Sequence, residues 1–578
     1  MKPCISAFLD STHFSLLYEG GCLLNRYEND AAALAHFRSV CENACDEQDK
    51  LLRQIIKENS GTEFGTEHGF SEITGYDDFI KHVPVSTFSD YEKQIERIIK
   101  GERNILTKAP PVFYNISSGS TGEPKYFPIC AEDITQQKLY FVDAPRGVIQ
   151  EALPGYDTKD LFGCIFHMGD VFLTRMPDGI PNGVRSGAYA ELAEMDGTFD
   201  CSCFSAPEAV LFPEKPQNMM YVKVRFALTN SNITAIHSVF VHRAIIIFEF
   251  ILNNWDLLID DIENGTVNSV FDVSEEWRDY IIKNLPPAPE RAAFLRSLDR
   301  ESLRKDMLKK IWPDIKYIML ITGDSFGYYH QELFRYIGSV PLHGFIYASS
   351  EAVMGLPPRL GVTDEYVLLP DTCLFEFSPE DEPDKLITMQ ELEIGRKYDI
   401  FITTVSGLYR YDLGDVVEVT GKYGGAPAVK ICYRRNMILN LVDEKLNISQ
   451  FENTMNDFRD RTGIKAEFYF ITGNYETYPA RYELFIETAD ELCDEYTAVL
   501  DECLRLNSIN YAGMRDFHEI SAPIITKLKP GTYAGYEEDC RKNGLRVEQY
   551  KPLRFVADNT KFTYFNQKKE KTFYGKEK

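Results

Sequence analysis

Positive charge is scarce in this chain. Its 62 Lys and Arg face 88 Asp and Glu, a formal net charge of -26 over 578 residues. Nucleic acid and anionic membrane both need clustered Lys and Arg, so neither is expected as a partner. A long apolar run is missing too. The greasiest segment, AIIIFEFIL from Ala244 to Leu252, is broken by Glu249. It is well short of the roughly 20 residues a spanning helix needs, and it reads as a buried helix. The start, MKPCISAFLDSTHFSLLYEGG, has one early Lys and no long apolar core before Asp10, so no secretory signal is expected. Zinc spacing is absent as well. Of 13 cysteines, Cys201 and Cys203 form a C-x-C and Cys41 and Cys45 lie four apart, with no second pair to match. These absences point to a freely diffusing cytoplasmic monomer with reduced thiols and no cysteine metal site.

What is present suits a large packed interior: 44% of residues are hydrophobic and 13% aromatic. The length suggests about four folding units at roughly 150 residues each, grouped as one large composite domain and a smaller one. Residues 28–105 read as mostly helical, with Ser86 or Ser89 as a cap and Gly101 as a stop. PVFYNI then reads as a strand. From about 160 to 345, apolar runs such as FGCIFHM, IKYIMLITG and LHGFIYASS alternate with helical patterns. That alternation predicts an α/β layer with a largely parallel sheet. From 366 to 435 strand follows strand, a β-rich subdomain. The pattern then resets to a small α+β domain. The expected domains are therefore 1–435 and 436–578, the charged tail 566–578 being frayed.

Five stretches could carry chemistry. SSGSTGEPK, Ser117 to Lys125, follows the PVFYNI strand. Its glycines allow close backbone approach, and its N–H and hydroxyl groups can donate to phosphate oxygens. It is not a P-loop, because Gly119 and Gly122 are only three apart and Lys125 follows three later. A solvated loop is the competing reading. FIYASSEAVMG places Glu351 at the end of a strand-like run, where a carboxylate can hold magnesium, with Tyr347 set to lie against an adenine; a capped surface turn competes. GLYRYDLGDVVEV places Asp415 at a strand's mouth, where an acid can accept two ribose hydroxyls; a Gly-Asp hairpin turn competes. YRRN, Tyr433 to Asn436, falls at the domain junction, and Lys551 lies between Tyr550 and Pro552 near the end of the small domain.

In this order the five resemble the motifs of the adenylate-forming superfamily, that of firefly luciferase and the acyl-CoA synthetases. More closely the chain resembles the Gretchen Hagen three family, the auxin-responsive acyl-acid amido synthetases. SSGSTGEPK, YASSE and YRYDLGDVV are similar to that family's three motifs, and Lys529 to Phe555 adds similarity near the C-terminus. Two departures stand out: the first motif is closer to the wider superfamily's form, and the third carries an extra Asp412.

The resemblance implies an α/β fold: a large adenylation domain and a small mobile α+β domain that closes over the site. It implies adenylation of a small carboxylic acid by ATP with magnesium, release of pyrophosphate, and acyl transfer to an amine, that of an amino acid. Ser117, Ser118, Gly119, Ser120, Thr121 and Gly122 would cradle phosphates, with Lys125 assisting. Tyr347 and Ala348 would flank adenine, Ser349 and Ser350 would shape that pocket, and Glu351 would hold magnesium. Asp415 would take the ribose hydroxyls, supported by Arg434 or Arg435, and Lys551 would stabilise charge at the α-phosphate. The rivals are a thiol acceptor, as in an acyl-CoA synthetase, and a catalytically silent nucleotide sensor. Candidate walls for the acid lie in the helices between about 135 and 255 and around Phe326 to His330.

Overall fold

The computed structural model describes residues 30–118, 124–169, 173–188, 201–213, 219–322, 327–382, 385–434, 438–542, 555 and 559–575. Gly119, Ser120, Thr121, Gly122, Phe326, Arg435 and Lys551 lie outside them. The described residues fall into two compact units, one made of 30–117 and the described residues from Tyr126 to Arg434, the other of Ser118, Pro124, Lys125 and the described residues from Ile438 onward.

Helices open the first unit. The helix Phe88–Ile99 starts at Thr87, whose N–H donates to Asp90 Oδ2 at 2.7 Å, and it buries Tyr91, Ile95 and Ile98. The cap is therefore Thr87 rather than Ser86 or Ser89, because Asp90 sits where a capping box needs its acid. The helix Val241–Asn253 contains the greasy run and is buried on nearly every side. Glu249, which interrupts that run, is paired with Arg304 at 3.0 Å and accepts from the Tyr336 hydroxyl. Among the described residues no helix is long and apolar enough to cross a membrane.

Three larger sheets complete this unit. Phe113–Ser118 lies between Pro124–Ile129 and Pro181–Gly183 in a four-stranded sheet. Ile165–His167, Ala235–Phe240, Tyr317–Ile321 and Leu342–His343 form an all-parallel sheet in that order. The third sheet has eight strands from Tyr347–Ala348 to Ala426–Arg434, and the pairs described in it are antiparallel. The single run LHGFIYASS is thus two strands in two sheets. The chain crosses between them at Gly344 and Phe345. A Cβ at Gly344 would meet Thr363 O at 2.7 Å, and Phe345 takes φ +45. Only glycine allows that approach, and the left-handed residue beside it makes the sharp change of direction.

The second unit is a mixed sheet in the order Phe468–Asn474, Arg481–Glu487, Ile524–Leu528, Lys569–Phe573. Helices Ile448–Thr462 and Glu495–Asn507 pack on each other and on the sheet. The stretch Lys569–Phe573, expected to be frayed, is the last strand of this sheet. Phe573 is buried, and Lys569 Nζ lies 2.9 Å from Glu483, a carboxylate with no solvent exposure. The charges that suggest a solvated tail lie on the last strand of the sheet, where one of them neutralises a buried acid.

Candidate active site

The strand that leads into the first motif meets the second and third motifs through hydrogen bonds within the first unit. Asn115, on the strand that leads into the Ser/Gly loop, is fully buried, and its Nδ2 donates to Ser350 O at 2.9 Å. Ser350 Oγ returns a bond to Ile116 O at 3.0 Å. The first motif's strand is therefore laced to the second motif's turn. That turn links Tyr347–Ala348 to Val353–Leu356 as a tight antiparallel hairpin. Within it Glu351 N–H donates to Ser349 Oγ at 3.2 Å, and the Glu351 side chain is almost fully buried.

Arg185 holds the same turn from the other side. Its Nε donates to Ser349 O at 2.7 Å and a terminal nitrogen to Ser350 O at 3.1 Å. A second terminal nitrogen pairs with Asp133 Oδ1 at 2.5 Å, both side chains being buried. Ser406 Oγ donates to the other Asp133 oxygen at 3.3 Å. A planar guanidinium fork serves two carbonyls and a carboxylate at once in a fixed geometry that an ammonium does not reproduce.

The third motif joins through Asp415. The Tyr347 hydroxyl donates to Asp415 Oδ2 at 2.9 Å, and both residues are buried. Tyr411 OH lies 3.5 Å from Glu351 Oε1, a long contact that still places the second and third motifs face to face. Asp415 is not at a hairpin turn. It lies inside the strand Tyr411–Tyr423, next to a register shift, and stands opposite Arg434. The extra Asp412 helps to build that irregularity: its Oδ1 accepts from Gly414 N–H at 2.9 Å, and Gly414 has φ +78.

Within the third motif Arg410 takes φ +49 and is buried with Glu376 at 2.8 Å. Tyr76 OH also donates to Glu376, at 2.8 Å. This arginine is structural: it fixes the motif's backbone.

Of the residues expected from sequence, Tyr347, Ala348, Ser349, Ser350, Glu351 and Asp415 come together, with Ser117 next to Ile116 on the laced strand. Ser118 and Arg434 are placed by their strands alone, and Lys125 lies on Pro124–Ile129. Asn115 was legible in principle as a polar residue inside the apolar PVFYNI. Arg185 lies far from every motif in sequence, and no local signal marks it or Asp133, although Asp133 follows the first motif closely.

The sequence matches the GH3 family N-terminal domain over residues 33–342, the GH3 family central domain over 366–434 and the GH3 family C-terminal domain over 449–560. The chain belongs to the GH3 family. Among GH3 relatives, it is 27% identical over 556 residues to indole-3-acetic acid-amido synthetase GH3.3 of Arabidopsis thaliana, covering 91% of this chain and 92% of that one. It is likewise 27% identical over 562 residues to indole-3-acetic acid-amido synthetase GH3.8 of Oryza sativa subsp. indica, covering 92% of this chain and 91% of that one. Its fold is similar to that of AtGH3.15 acyl acid amido synthetase in complex with 2,4-DB, with TM-score 0.64 and 22% identity, over 96% of this chain and 99% of that one.

Proposed function

We propose that this GH3 protein is an acyl-acid amido synthetase that activates a small carboxylic acid as its acyl adenylate and passes the acyl group to an amino acid. The convergence of Asn115, Ser350, Glu351, Tyr347 and Asp415 carries this reading. It brings a strand that feeds a Ser/Gly loop, a buried acid and a second buried acid to one place. The relatives named as amido synthetases support the same class of reaction.

A carboxylate is a poor acyl donor because its leaving group would be oxide. Attack on the α-phosphate of ATP expels pyrophosphate and leaves AMP as a good leaving group for the amine. That first step brings two anions together, so neutralising charge is the main task. Ser117 to Gly122 cradle the phosphates, with Lys125 beside them. Ala348 flanks the adenine, and Asp415 accepts the ribose hydroxyls with Arg434 or Arg435 in support. Tyr347, whose ring is buried in the core and lies 5.8 Å from Tyr366, orients Asp415 rather than offering a face to the base.

The Glu351 carboxylate is an oxygen donor of the type magnesium prefers. Among the described residues no group of three or more His, Cys, Asp or Glu could hold a metal by itself, which suits an ion shared with substrate phosphates. Bound there, magnesium would supply positive charge against the phosphates. Lys551 arrives with the C-terminal domain, 436–578, whose closure excludes water from the adenylate. The reading includes action as a cytoplasmic monomer.

Acid-dependent exchange of labelled pyrophosphate into ATP tests it. Wild-type protein should catalyse exchange with at least one acid of a broad panel. Lys551→Ala should lose most of that exchange while keeping ATP binding. Full exchange in the mutant would remove the lysine from the mechanism.

A further inference from the structure

Glu351 is a carboxylate taken almost wholly out of water, at 6% exposure. Among the described residues its side chain has one hydrogen-bonding neighbour, the Tyr411 hydroxyl, 3.5 Å from Oε1, and no cation is paired with it. A buried charge needs a partner, and a lone hydroxyl does not neutralise one. The acid is therefore set to meet a cation, and Tyr411 is the group that stands beside it.

Tyr411 is held from two sides. Ser86 brackets it: Ser86 N–H donates to Arg410 O at 3.0 Å, and Asp412 N–H donates to Ser86 O at 2.8 Å. On its other edge Tyr411 pairs with Ile402 in the eight-stranded sheet. Two residues earlier, Ser86 Oγ and the Tyr91 hydroxyl both donate to Tyr409 O, at 2.7 and 2.8 Å. Arg410, at φ +49, stands between these anchors. Left-handed backbone at such a residue persists only where its surroundings over-determine it.

The Tyr411 ring lies edge to face with Phe127 at 6.3 Å and tilted to Tyr91 at 6.4 Å. That packing asks for a phenyl ring only, whereas a buried tyrosine hydroxyl is of use where it meets a polar partner. The 3.5 Å contact is longer than the roughly 2.5–3.0 Å of a formed O–H···O bond. Site hydrogen bonds of this length commonly tighten when a ligand binds.

We propose that Tyr411 is a positioning residue for Glu351. Its hydroxyl donates to Oε1 and fixes the carboxylate, which leaves the second oxygen for magnesium carried by the nucleotide. This rests on the reading of Glu351 as the magnesium ligand.

ATP binding to the full chain, with and without metal, tests it. Equilibrium titration gives one Kd for ATP in excess magnesium and one in EDTA, and their ratio is the metal's contribution to binding. Wild type should bind more tightly in magnesium, and Glu351→Gln should lose most of that ratio. Tyr411→Phe keeps the packed ring; it should cut the ratio about tenfold or more and leave the EDTA value within about twofold. In a Glu351→Gln background it should change nothing further, because a residue that acts through Glu351 loses its effect with it. A merely structural tyrosine would weaken binding equally in both conditions and add to Glu351→Gln. Either result would overturn the inference, as would a full ratio in Tyr411→Phe where Glu351→Gln has lost it. A full ratio in Glu351→Gln, or no magnesium effect in wild type, would sink the magnesium reading of Glu351 and this inference with it. No arm depends on turnover, so a lack of pyrophosphate exchange would count against the adenylation reading alone.

Discussion

The hydroxyl of Tyr347 is bonded to the carboxylate of Asp415 at 2.9 Å, deep in the first unit. One belongs to the second motif and the other to the third, 68 residues apart in sequence. Hydrogen bonds to charged groups contribute about 1.5–3 kcal/mol. Tyr347→Phe should lower thermal stability and raise the KM for ATP about tenfold, while the rate at saturating ATP changes less. Exchange kinetics over a range of ATP concentrations check this.

The buried Arg410–Glu376 pair supports the third motif from behind. Removing one partner of such a pair leaves an uncompensated charge, which costs about 3–5 kcal/mol. Arg410→Met should therefore destabilise the first unit by that order. The Arg410→Met, Glu376→Met double mutant should recover much of the loss. Denaturant unfolding of the three variants beside wild type measures it.

The Arg185 guanidinium donates to two main-chain carbonyls of the YASSE turn and to Asp133. Lysine would keep the charge but lose the rigid fork that spans both carbonyls and the carboxylate. On the proposal that Glu351 holds magnesium, Arg185→Lys should reduce exchange by about 10–100-fold and raise the magnesium concentration needed, as loss of a group that orients a metal ligand does. An unchanged magnesium requirement would limit Arg185 to a structural part.

His343 supplies a pH dependence with a definite sign. Its folded-state value is lowered to about 4 from 6.5, so between these values the unfolded chain binds more protons. Stability then falls as pH drops from about 6.5 toward 4, by roughly 3 kcal/mol for this group. His343→Leu should show a shallower decline over that window. Chemical unfolding of both proteins at several pH values tests the difference.

The YASSE turn was legible because its signal is local, an acid just past a strand-like run, whereas Asp415, expected at a strand's mouth, lies inside its strand. The alternation from 160 to 345 and the strand run from 366 to 435 were legible from period alone. What the letters hid is long-range. Nothing near Arg185 announces Asp133 or the turn it holds. LHGFIYASS reads as one strand because periodicity does not register the approach of Thr363 to Gly344, which forces the chain from one sheet to another. The tail misled for a similar reason: Lys569 meets a buried acid 86 residues earlier in sequence.

The central claim concerns a bond made to a carboxylate, and identifying the product tests it most directly. Full-length protein is incubated with ATP, magnesium, a library of small carboxylic acids, mixed amino acids and coenzyme A, and the products are read by mass spectrometry. An acyl–amino acid amide formed together with AMP is the result expected. A thioester as the sole acyl product, or no AMP with any acid, would contradict the account.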